Sequence, residues 1–108
     1  MARYMIQASY TTTAVADLVR NPQDRAAAVR PLVEQLGGSL VSLDFAFGDY
    51  DLVAIGEFPD NVTMAALSMA VTATGTFSAF KTTVLIPMNE AVEAMRKAGS
   101  ISYRSPGT

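Results

Sequence analysis

The densest polar chemistry in the sequence is the cluster Gly48-Asp49-Tyr50-Asp51, set between two apolar runs. Two carboxyls flanking a phenol can act as an acid–base pair or orient a polar ligand, provided that close spacing and burial lift one carboxyl's pKa. The same residues also suit a tight turn. Gly accepts positive φ, Asp side chains bond local backbone amides, and Tyr50 would then cover a subunit seam. Outside the cluster, the groups able to anchor a ligand are Tyr4, Tyr10, Glu57 and Lys81, all within apolar stretches. An enclosed charge needs a partner, which makes it a better anchor than a surface charge, whereas the same charge at a strand end is simply hydrated. Tyr4, Tyr10, Phe45, Phe47, Phe77 and Phe80 can line an apolar cavity or pack an ordinary core. Tyr103 and Arg104, near the C-terminus, can reach over a neighbouring subunit, with Arg offering a fixed fork of donors, or can form a frayed end.

What is missing narrows the chemistry further. The 108 residues include no His and no Cys. That removes the commonest general base, the thiolate nucleophile, disulfides and the usual ligands of zinc and haem iron. No loop spaces oxygen ligands as a calcium loop does, and no P-loop, GxGxxG or GxSxG motif occurs. No cofactor and no metal are expected. A net charge of −2 and the lack of an aromatic–basic strand signature argue against nucleic acid. Gln7, Ser9 and three threonines interrupt the first apolar stretch, so it does not read as a signal peptide. No run approaches the roughly 18 apolar residues of a membrane span. A cytoplasmic location without membrane contact is the expectation.

The elements that must position these residues follow from periodicity. Residues 2–10 alternate, with Tyr4, Ile6, Ala8 and Tyr10 on one face, and form a strand. A threonine from 11–13 caps a short helix over 14–20. Asn21-Pro22-Gln23-Asp24 restarts a helix, with Asn as cap and Pro in the first turn, that runs to Leu36 and stops at Gly37-Gly38. Pro31 inside it is expected to kink or divide it. Residues 40–47 form a second strand, with Val41, Leu43, Phe45 and Phe47 on one face, and residues 52–58 a third that is apolar on both faces except at Glu57. A helix from Val62 to about Thr74 carries no charge at all, which implies covering on more than one side. Residues 77–86 make the fourth strand and residues 88–98 an amphipathic helix with Ala91, Val92 and Met95 facing inward; residues 100–108 form an irregular tail.

The order β-α-β-β-α-β plus a C-terminal helix gives an α+β, ferredoxin-like fold: a four-stranded antiparallel sheet with helices on one face, in one domain over residues 1–99. Half the residues are hydrophobic and 17% charged, more apolar material than so small a domain can bury alone. The bare sheet face should therefore meet a second copy, giving a dimeric α/β barrel or larger homo-oligomer.

Several segments resemble the GYD domain family, small bacterial proteins of the dimeric α/β-barrel type. They are the Phe47-Gly48-Asp49-Tyr50-Asp51 tip and the apolar strand after it, Ala8-Ser9-Tyr10-Thr11, Leu36-Gly37-Gly38, Phe58-Pro59-Asp60-Asn61, Lys81-Thr82-Thr83, and Tyr103-Arg104-Ser105-Pro106-Gly107. The resemblance implies the ferredoxin-like fold and self-association, and it carries over no catalytic residue. Two functions remain open. One is a homo-oligomer binding a small apolar or aromatic molecule between sheet and helices, with Tyr4, Tyr10, Asp49, Tyr50 and Lys81 at the ligand and Phe45, Phe47, Tyr103 and Arg104 at subunit contacts. In that case Tyr and Lys would supply what His supplies elsewhere. The other is an assembly or partner-binding module in which both sheet faces meet protein and no pocket survives.

Overall fold

The computed structural model describes residues 1–107, so Thr108, the last residue of the expected tail, lies outside the described residues. The chain runs β1 (Ala2–Tyr10), α1 (Thr12–Arg20), α2 (Arg25–Gln35), β2 (Ser39–Phe45), β3 (Leu52–Phe58), α3 (Asn61–Thr72), β4 (Phe77–Leu85) and α4 (Met88–Gly99). The strands form one antiparallel sheet in the order β2-β3-β1-β4, the ferredoxin-like arrangement expected. Alternation in β1 turns Tyr4, Ile6, Ala8 and Tyr10 toward the helices, opposite Gly56, Ala54 and Leu52 of β3. The core lies there. Tyr4, Val33, Leu40, Phe58 and Met64 are buried together, with the Tyr4 and Phe58 rings edge to face at 5.9 Å. The buried Tyr4 hydroxyl donates to Asn61 Oδ1, which ties the start of α3 to the sheet.

Four local expectations change. Helix α2 begins at Arg25 rather than at Pro22, because Asp24 is its cap: the carboxylate accepts from the amides of Ala26 and Ala27 at 2.9 and 3.4 Å. A charged acceptor is a stronger cap than the Asn21 amide, and Asn21 instead closes α1 through its N–H to the Asp17 carbonyl. Pro31 does not divide α2. It sits on the exposed side, as does Ala27, whose carbonyl it leaves without a helical donor, so water can replace the lost bond. In β2 the register slips between Leu40 and Ser42, so Leu40 pairs with Gly56 and Leu43 with Ala54 on the helix side, while Val41 is left exposed. Strict alternation had placed Val41 and Leu43 together. Phe47, expected in β2, lies past its end and is 96% exposed.

Helix α3 is covered on one side only: Met64 is buried, whereas Val62 and Met69 face outward. Helix α4 forms as expected, but Ala91, Val92 and Met95 meet no core, and α4 shares no broad interface with any other element. The chain measures 59 × 33 × 23 Å with a radius of gyration of 17.6 Å. A compact chain of this length would have about 13 Å.

Candidate functional site

Small residues on several elements leave a space unfilled. Ala8, Ala54 and Gly56 floor the middle of the sheet, Ala14 and Ala28 lie above them on α1 and α2, and between them is a cavity of about 450 Å³. Its walls are apolar, supplied by Ile6, Val29, Leu67, Val71 and Phe80 among others. A space of this size lies within the range that holds small-molecule ligands.

Polar groups gather where β1 ends. Tyr10 is buried with its ring stacked on Phe77, centroids 5.1 Å apart at 18°, and Phe77 meets Phe80 edge to face at 5.7 Å. Burial raises the pKa of the Tyr10 phenol; the nearby Arg25 guanidinium, by its charge and a side-chain hydrogen bond, pulls it down, and the Asp51 carboxylate pushes it up. At neutral pH the phenol is a proton donor, not a base. Arg25 and Asp17 also line the cavity, and Asp17 is ion-paired with Arg20. A second depression of about 360 Å³ adjoins the first. It shares Tyr10, Leu18, Arg25, Leu43 and Leu52 with it and is rimmed by Pro22, Gln23 and Asp24.

The hairpin tip supports this end of the sheet. Residues 46–51 join β2 to β3, closed by the Ala46 N–H on the Asp51 carbonyl at 2.7 Å, with Gly48 at φ 124°. The Asp51 backbone N–H donates to the Ala8 carbonyl at 2.9 Å, and its side-chain Oδ2 accepts from the Tyr10 N–H at 2.9 Å. The Asp49 carbonyl accepts from the Ser9 hydroxyl at 2.8 Å. Asp51 thus bonds a backbone amide 41 residues away, rather than a local one, and holds Tyr10 in place.

The residues singled out in the sequence divide among three places. Tyr10 lines the cavity, with Phe77 and Phe80. Tyr4 lies within the core, Asp49 is exposed at the tip, and Tyr50 is half-buried beside it. Lys81 is exposed and pairs with Gln7 across the sheet, so it faces away from the cavity, on the open side that also carries the Arg3–Glu57 ion pair at 3.0 Å. Phe45 lines the smaller depression and touches Phe47 edge to face at 6.0 Å, while Tyr103 and Arg104 are exposed in the tail. Arg25 was the residue missed. Its signal was a cation at the first position of a helix, where the dipole disfavours it. Among the described residues no group of His, Cys, Asp and Glu side chains is placed to hold a metal ion, and no helix is long and apolar enough to cross a membrane.

A family model described as the GYD domain matches residues 4–95, from β1 into α4. No curated protein matches the chain.

Proposed function

The chain belongs to the GYD domain family, a family of unknown function, and we propose that it is a homo-oligomer that binds a small apolar or aromatic molecule in the cavity between sheet and helices. The observation that carries this is the cavity itself: about 450 Å³ walled by apolar side chains, with a buried phenol and one guanidinium at its end. An assembly module that used both sheet faces for protein contacts would fill this space with protein in the assembly, whereas a ligand site keeps it open to a small molecule. Self-association is supported by the other side of the sheet, where Met5, Val53, Ile55 and Leu85 lie on a face that no helix covers, and by the unpacked apolar stripe of α4. A second copy is the occupant that would cover both.

A thermal-shift screen with aromatic and quinone-like compounds tests the binding claim. Ligand at 100 times its dissociation constant stabilises the native state by about 2.7 kcal/mol, enough for a shift of several degrees. Narrowing the cavity through Ala54→Leu should weaken the response. No stabilisation by any compound would contradict the proposal.

A further inference from the structure

The cavity has a chemical polarity that a purely apolar ligand would leave unused. Among the described residues, Arg25 is the one cationic side chain that lines it. Among the described residues Arg25 makes no ion pair; its Nη1 donates to Gln23 Oε1 at 2.8 Å, and its guanidinium lies near the Tyr10 phenol. The nearby carboxylates are engaged elsewhere. Asp17 pairs with Arg20, Asp24 accepts two amides of α2, and Asp51 accepts the Tyr10 N–H. Helix stability does not explain a cation at the first position of α2, because the dipole there repels it. Arg25 also stands where the cavity meets the smaller depression, so one end of a bound molecule would lie beside it and the rest among apolar walls.

We infer that the ligand is an amphiphilic carboxylate, its anionic head received by the guanidinium fork of Arg25 and the phenol O–H of Tyr10, its aromatic or alkyl body lying against Ala54, Leu67 and Phe80. The inference rests on the cavity being a ligand site and specifies what that site selects. Guanidinium presents parallel N–H donors that match a carboxylate, and Tyr10 adds a third donor from the buried side. Asp17, the other charged group of the lining, is held by Arg20, and apart from Thr74 and Thr76 the rest of the wall is apolar, so the molecule carries one anionic end.

Calorimetric titration at pH 7.5 with two acid–alcohol pairs tests this: 2-naphthoate against 2-naphthalenemethanol, and octanoate against octanol. Both acids are ionised at that pH, since carboxyl pKa values lie near about 4. In the unaltered protein each acid should bind about tenfold or more tightly than its alcohol, the usual weight of a charge-assisted hydrogen bond. Arg25→Gln should cost the acid about tenfold and the alcohol much less, so that the acid's advantage is lost, and Ala54→Leu should weaken both members of each pair. Equal affinities for acid and alcohol, unmoved by Arg25→Gln, would overturn the head-group assignment and leave the cavity as a binding site. Acid binding that survives Ala54→Leu intact would place the ion pair outside the cavity and overturn it too. Failure of the unaltered protein to bind either member of either pair would overturn the cavity proposal along with it.

Discussion

Asp51 shows how one side chain joins the hairpin tip to the site. Its carboxylate accepts the Tyr10 N–H at 2.9 Å in a partly buried setting, and its own N–H reaches Ala8 on the same strand. Asp51→Ala removes a charged acceptor and leaves that amide unpaired, which should cost about 1–3 kcal/mol. A urea midpoint shifted downward with an unchanged slope would report it; an unchanged midpoint would mean that water replaces the carboxylate. Ala at position 49 should leave the midpoint unmoved, because the Ser9 hydroxyl bonds the Asp49 backbone carbonyl and not its side chain. The cluster Gly48-Asp49-Tyr50-Asp51 was legible as a turn. That Asp51 serves the end of β1 was not, because the contact spans 41 residues and depends on the β1–β3 register.

Between elements, the tightest junction lies where α2 turns into β2. Gly37 at φ 78° and Gly38 end the helix with paired bonds, Gly37 N–H to the Glu34 carbonyl and Gly38 N–H to the Val33 carbonyl, both 3.0 Å. A Cβ on Gly38 would meet the Glu57 carbonyl oxygen at 2.5 Å and press on Phe58 and Val33. Gly38→Ala should therefore destabilise by about 1–3 kcal/mol through a forced shift of the α2–β2 junction against β3. Thermal unfolding would show a lowered midpoint, and an unchanged one would mean that the close approach is relieved at no cost. Sequence patterning served best where one rule acts alone. Strand β1 follows from period-two alternation, β3 from a short run apolar on both faces, and the stop at Gly37-Gly38 from its glycines. It served poorly where two local solutions compete, as at the start of α2, where Asn21-Pro22 and Asp24 both offer a cap. It could not place the β2 bulge, which exists only relative to β3. The cavity was anticipated from aromatics, yet its space comes from Ala8, Ala14, Ala28, Ala54 and Gly56. These are small residues spread over four elements, and no spacing rule connects them.

As a whole molecule, the chain leaves apolar surface uncovered on α3 and α4, which supports the proposed self-association. Met95 is 63% exposed on the inner side expected of α4, and Val62 and Met69 are bare on α3. Exposed patches of this kind mark contact sites. Sedimentation equilibrium at micromolar concentration should give at least twice the chain mass of 11.5 kDa; a well-folded species at the chain mass itself would rule out self-association. The proposed association draws on the open sheet face and on outward residues of α3 and α4, the proposed ligand site on the space between sheet and helices, so one does not imply the other, and the ligand site carries the functional proposal. Its most direct test is a heteronuclear NMR titration with 2-naphthoate, read residue by residue. Methyl shifts are expected at Ala8, Val29 and Leu67, on the helix side, with Val53 and Ile55 on the open face unmoved. Shifts confined to Val53 and Ile55, or no shifts at all, would contradict a ligand site between sheet and helices.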